Sequence, residues 1–93
     1  MSGIYAFEWD EINSEHLADR GVTDLEVEQL LSNDHVLMPN RKHEGRKLLV
    51  GNTSGGRTLV VSVEPTRDSG TWRPITARGA EPEERRKLED KLR

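Results

Sequence analysis

The sequence predicts an α+β domain in which an N-terminal strand and two helices precede an antiparallel sheet of about four strands and a C-terminal helix. Two observations predict this order. Helix-capping signals occur before residue 34, and segments dense in β-branched residues follow from residue 35. A chain of 93 residues has the length of one compact domain. We therefore treat residues 1–93 as a single domain.

The N-terminal segment has the period-two alternation of a strand over residues 4–9. One face carries Tyr5, Phe7 and Trp9, and we expect this aromatic face to meet the core. Asp10 is a candidate N-cap for a helix that runs to residue 20. Gly21 then stands where a helix requires a left-handed C-terminal cap.

The second helix has the clearer start signal. Thr23 and Glu26 have the spacing of a capping box, and Val22 can pack on Val27 as a hydrophobic staple. The apolar stripe ends at Asn33, so the helix is expected to end there.

The remaining elements are four strands and one helix. We predict the strands at residues 35–38, 46–50, 58–63 and 71–78. Val60 lies on the opposite face of the third strand from its apolar neighbours, which indicates a sheet covered on one side. Pro74 has no backbone N–H and favours a bulge or a sheet edge. The last helix starts at Pro82, and only Leu88 and Leu92 give it an apolar stripe, so we expect weak docking.

Charge and composition exclude several classes of protein. The net charge is −3 and the pI is near 5.6, so a nucleic-acid site must be a local basic patch. Such a patch is available because residues 41–78 are predominantly basic, whereas residues up to 34 are acidic. The absence of cysteine excludes disulfides and thiolate metal sites. No long apolar run or N-terminal secretion signal is present, so we expect a soluble, cytoplasmic protein without membrane contact.

Three arginines form the leading candidate site. Arg46, Arg57 and Arg78 converge if their strands are neighbours, and guanidinium groups bind a phosphate through paired hydrogen bonds. The competing interpretation is that these arginines pair with carboxylates on a solvated face and only keep the sheet soluble. The candidate carboxylates are Glu44, Glu64 and Glu84.

His43 is the candidate for proton transfer, because histidine exchanges protons near neutral pH. The alternative is an ordinary exposed histidine in a polar loop. Trp72 beside Arg73 is suited to stacking a base and holding its phosphate, although a strand tryptophan is more often part of the core. The candidate RNA-binding residues are Arg20, Lys47, Trp72, Arg73 and Arg85. No two histidines have the spacing of a helical metal site, so we expect neither a metal nor a cofactor.

Several blocks of the sequence, in this order, resemble the BrnT family. They are Phe7-Glu8-Trp9-Asp10, Arg20-Gly21-Val22-Thr23, His43-Glu44-Gly45-Arg46, Val50-Gly51-Asn52-Thr53, Gly56-Arg57-Thr58-Leu59-Val60-Val61, Ile75-Thr76-Ala77-Arg78 and Glu84-Arg85-Arg86. The resemblance implies a RelE-like fold and the activity of a bacterial ribonuclease toxin. It also implies neutralisation by a BrnA-type antitoxin with a ribbon-helix-helix DNA-binding part.

The resemblance leads to two alternative functions. The first is an endoribonuclease toxin of a type II toxin–antitoxin pair that cleaves RNA without metal through basic residues on the sheet. The second is a non-catalytic RelE-like module that binds an antitoxin-like DNA-binding partner. The acidic balance and the departures from the family pattern at Asn13, Asp19, Arg20 and Pro74 favour the second. In neither case do we expect direct DNA binding without the antitoxin.

Overall fold

A computed structural model describes residues 3–92 of the chain. In this part it contains three helices and five strands, which confirms the α+β class. In chain order they are β1 (Ala6–Phe7), α1 (Glu11–Ala18), α2 (Asp24–Ser32), β2 (His35–Pro39), β3 (Lys47–Asn52), β4 (Thr58–Pro65), β5 (Thr71–Gly79) and α3 (Pro82–Lys91). None of the helices between residues 3 and 92 has the length and apolar character required to cross a membrane.

The strands form one mixed sheet in the order β1-β5-β4-β3-β2. The sheet therefore differs from the expected antiparallel sheet of about four strands, because β1 adds a fifth strand that runs parallel to β5. β1 pairs Ala6 with Thr71 and Phe7 with Trp72, so it is shorter than the predicted strand at residues 4–9. The other neighbouring strands are antiparallel, as predicted.

Both N-terminal helices start with the predicted caps. The Asp10 carboxylate accepts a hydrogen bond from the Asn13 amide N–H, and the Thr23 hydroxyl accepts one from the Glu26 amide N–H. Gly21 has a φ of +75°, the left-handed conformation expected after the first helix. That helix ends at Ala18, two residues earlier than predicted.

The main core lies between the sheet and helices α1 and α2. Leu59, Val61 and Val63 of β4 are fully buried against Leu17 of α1 and Leu30 of α2. The rest of this cluster consists of Val22, Val27, Leu49 and Ala77. Alternate residues of β4 therefore point to the helices, as the period of a strand requires.

The N-terminal aromatic face is only partly as predicted. Phe7 and Trp9 pack against the main core, but Tyr5 is 72% exposed. Tyr5 precedes the paired residues of β1, and its ring lies over Gly70, where any Cβ would clash with it. The period-two alternation predicted for residues 4–9 therefore does not place Tyr5 in the core.

The opposite face of the sheet is covered by α3 in a second, smaller cluster. Val50 and Val60 pack against Leu88, so β4 is covered on both sides and not on one. Leu92 was expected to continue the apolar stripe of α3, but it is 54% exposed and does not do so. The helix is tied at its C-terminal end by a 2.7 Å hydrogen bond from Lys91 Nζ to the His35 carbonyl.

β5 contains the bulge that Pro74 favours. Pro74 pairs with Val63 and Thr76 with Ser62, which leaves Ile75 as an extra residue. The carbonyl of Pro74 accepts a 3.1 Å hydrogen bond from the buried side-chain amide of Asn13. The bulge thereby joins α1 to the sheet.

Candidate nucleic-acid interface

A groove of about 560 Å³ lies on the sheet face that α3 partly covers. The strand register explains its floor. Leu48, Ser62 and Thr76 are paired across β3, β4 and β5, and they point away from α1 and α2. Arg78 pairs with Val60, a residue of this same face, so its side chain also points towards the groove.

The groove is locally basic in an acidic protein. Its lining contains five lysines and arginines and one histidine against two glutamates, whereas the whole chain has a net charge of −3. We call it the basic groove; its charged and titratable residues are Arg41, Lys42, His43, Arg46, Arg78, Glu83, Glu84 and Lys87. The predicted residues Arg46, Arg78 and His43 thus line one cavity, although Arg78 is distant in sequence from the other two.

Asn40 fixes the loop that carries His43. The Asn40 side-chain oxygen accepts hydrogen bonds from the backbone N–H groups of Lys42 and His43, at 3.1 and 3.3 Å. The Asn40 amide donates to the Ser62 hydroxyl on the groove floor, at 3.2 Å. A single side chain therefore shapes the basic loop and attaches it to β4.

Two of the three groove arginines, Arg46 and Arg78, are paired with carboxylates. Arg78 donates two hydrogen bonds to Glu84 of α3, at 2.7 and 2.6 Å, and Arg46 Nε lies 3.3 Å from Glu64. Hydrogen bonds from Arg78 hold the pKa of Glu84 below its ordinary value, and those to Glu84 raise the pKa of Arg78. The competing prediction of arginine–glutamate pairs on this face is thus observed for Glu64 and Glu84.

Arg57 does not join this cluster, contrary to the expected convergence of three arginines. Its guanidinium donates to the Gly21 carbonyl at 3.0 Å and to Glu26 at 2.8 Å. The reason is the alternation of side chains along β4. Arg57 has the same parity as Leu59, Val61 and Val63, which point to α1 and α2, whereas Arg78 pairs with Val60 on the opposite face.

Three other candidate RNA-binding residues lie away from the basic groove. Lys47 and Trp72 line a different cavity with Tyr5, and Trp72 packs against the main core. Arg73 is held by Asp10 beside α1. Trp72 and Arg73 cannot bind the base and the phosphate of one nucleotide on the same face of the sheet, because successive strand residues point to opposite faces.

The remaining two candidates differ in their position. Arg20 lines a small cavity that shares Ser62, Thr76 and Arg78 with the basic groove, so it extends the basic surface across β5. Arg85 is exposed on α3 and is not part of the groove lining.

Sequence reasoning did not assign Asn40, Arg41, Lys42 or Lys87 to the site, although all four line the groove. Arg41, Lys42 and Lys87 add positive charge, and Asn40 orders the loop. The run Arg41-Lys42-His43 was a usable signal, because three consecutive basic or titratable residues next to a strand end form a local positive patch. Lys87 could be found only from the packing of α3 on the sheet.

No family model matches the sequence, and no curated protein matches it. Across residues 3–92, no group of three or more His, Asp or Glu side chains is arranged to hold a metal ion.

Proposed function

We propose that this protein is an endoribonuclease toxin of a type II toxin–antitoxin pair, similar to BrnT proteins and RelE-like in fold. The observation that carries the proposal is that Arg46, Arg78 and His43 line the same basic groove. A local excess of positive charge in an acidic chain favours a polyanion as the ligand of this face. The ordered sequence blocks that resemble BrnT proteins support RNA as that polyanion.

The proposed reaction is transesterification within the RNA strand. The ribose 2′-oxygen attacks the neighbouring phosphorus, and the bond from phosphorus to the 5′-oxygen breaks. A base must remove the 2′-hydroxyl proton and an acid must protonate the departing 5′-oxygen. In this proposal His43 carries out one proton transfer, and Arg46 and Arg78 stabilise the charge that develops on the phosphorane.

The proposed partner is a BrnA-like ribbon-helix-helix antitoxin that covers the basic groove and blocks access of RNA. The groove has one wall formed by α3, which carries Glu83, Glu84 and Lys87. An antitoxin bound there would contact both the sheet and this helix. An adjacent reading frame for a short ribbon-helix-helix protein would support the pair.

The second candidate function is a non-catalytic module that binds the same kind of partner. The observation that favours it is the pairing of Arg46 with Glu64 and of Arg78 with Glu84, which reduces the positive charge available to a substrate. Such a module would bind its partner and leave RNA intact.

The decisive experiment is cleavage of total cellular RNA by the purified chain, with mapping of the new 5′ ends. The test variant is Arg46→Ala/Arg78→Ala. The matched control is Arg57→Ala, because Arg57 also pairs with a glutamate but lies outside the groove. We expect the control to cut at the same sites as the parent and the double variant to lose at least about 100-fold in rate.

Two results would change this assignment. Equal cutting by the parent and the double variant would remove the basic groove as the site. An absence of cutting by folded parent protein would favour the non-catalytic module.

A further inference from the structure

Glu84 binds the Arg78 guanidinium with the geometry that a phosphate would use. Its two carboxylate oxygens accept parallel hydrogen bonds from the two terminal nitrogens of the guanidinium, at 2.7 and 2.6 Å. Arginine binds phosphate through this same pair of donors. The Glu84 side chain is 13% exposed and that of Arg78 is 51% exposed, so solvent and ligands reach the pair mainly from the arginine side.

Glu84 is also held in place from its own helix. The carboxylate oxygen Oε1 accepts a 2.8 Å hydrogen bond from the Glu81 backbone N–H at the start of α3. One turn later, Leu88 is buried against the sheet and fixes the helix on this face. The carboxylate is therefore positioned at Arg78 by the fold, in contrast to a freely moving surface side chain.

We propose that Glu84 is a built-in competitor for the anion site at Arg78, so that a nucleic-acid phosphate binds there only after Glu84 withdraws. This inference rests on the proposed function, since it assumes that phosphate is the ligand of the basic groove. The negative charge of Glu84 lowers the affinity of the groove for polyanions until α3 or the side chain moves. In the free protein, the groove therefore binds polyanions more weakly than it would without the Glu84 carboxylate.

Glu83 provides the matched comparison. It lies next to Glu84, carries the same charge, is exposed and lines the same groove. Arg78 directs its hydrogen bonds to Glu84 and to the Gly79 carbonyl. Removing the charge of Glu83 changes the net charge of the groove without freeing the Arg78 guanidinium.

The test measures binding of a fluorescent 2′-O-methyl oligouridylate of about 12 nucleotides to the full chain by anisotropy. The methyl group blocks the attacking 2′-oxygen, so binding is measured without cleavage. We expect Glu84→Gln to tighten binding by about fivefold and Glu83→Gln by less than about twofold. The double variant Arg78→Ala/Glu84→Gln is expected to lose the gain. Where the parent binds the oligonucleotide, equal gains in the two single variants, or no gain in Glu84→Gln, would overturn the proposal.

The same variants are titrated with inorganic phosphate while the Arg78 guanidinium NMR signal is followed. If no variant binds the oligonucleotide, the proposed function fails, and this second titration alone decides the inference. A shift of the Arg78 signal at a phosphate concentration about fivefold lower in Glu84→Gln than in the parent supports competition. Identical titrations overturn it.

A further variant covers the case in which Glu84→Gln releases α3, which the Leu88 methyl signals would reveal. Glu84→Asp keeps the charge but shortens the side chain, so the paired contact with Arg78 weakens. We expect about twofold tighter binding of the oligonucleotide or of phosphate. Unchanged binding would overturn the proposal.

Discussion

The Asn40 side-chain amide donates a 3.2 Å hydrogen bond to the Ser62 hydroxyl on the floor of the basic groove. Asn40 also accepts hydrogen bonds from the backbone N–H groups of Lys42 and His43. The position of His43, the proposed proton-transfer residue, relative to the sheet therefore depends on the Asn40 side chain. The loop has no other hydrogen bond from a side chain to this floor among the residues that the structure describes.

Replacing Asn40 with alanine is expected to loosen this loop. The variant loses all three hydrogen bonds, so cleavage by trypsin after Arg41 and Lys42 should become about threefold to tenfold faster in the native state. Ser62→Ala removes only the bond to the sheet and should have a smaller effect. Limited proteolysis followed by mass spectrometry measures both rates, and a larger effect of Ser62→Ala would contradict this account.

The docking of α3 is expected to depend on Leu88. Leu88→Ala removes the buried side chain of the helix and should lower the free energy of unfolding by about 2–4 kcal/mol. Leu92→Ala is the control, because Leu92 is largely exposed, and its effect should stay below about 0.5 kcal/mol. Urea denaturation measures both values. Similar effects at the two positions would show that α3 packs differently.

Acid should weaken the Glu84–Arg78 pair. Hydrogen bonds from Arg78 hold the pKa of Glu84 in the folded state below its ordinary value of 4.5. The stabilisation from this shift is therefore complete above pH 4.5 and is lost as the pH falls from there through the folded value. The parent should lose more stability over this interval than Glu84→Gln, measured by denaturation at each pH. Parallel pH profiles would contradict the prediction.

Asn13 is expected to be important for stability because its side chain joins three parts of the chain. It is 3% exposed, accepts from the Asp10 N–H and donates to the carbonyls of Glu8 and Pro74. Asn13→Ala leaves these groups without their partner and should cost about 1–3 kcal/mol. Ile12→Ala, at an exposed neighbour, should change the unfolding free energy by less than about 0.5 kcal/mol in thermal or urea denaturation.

Local signals predicted the elements well where a single side chain determines the backbone. The capping box at Thr23, the left-handed Gly21 and the bulge at Pro74 each follow from chemistry within a few residues, and all are confirmed. The parallel pairing of β1 with β5 was not predicted. It joins segments separated by most of the chain, and no local pattern specifies such a contact.

The candidate site was predictable only in part for the same reason. The basic middle of the sequence identified Arg46, Arg78 and His43 as candidates, and the register brings them to one groove. The absence of Arg57 from the groove depends on which face of the sheet each residue points to, which requires the strand pairing and the packing of the helices. The buried role of Asn13 likewise depends on Pro74, a residue 61 positions away in the sequence.

The most direct test of the central claim is to map where RNA contacts the protein. Amide NMR shifts of the full chain are followed during titration with the 2′-O-methyl oligouridylate. We predict that the largest shifts fall on Lys42, His43, Ser62 and Thr76, which line the basic groove, with little change on α1 and α2. Shifts centred on α1 and α2, or no shifts at concentrations that saturate other single-strand binders, would contradict the assignment of this groove to RNA.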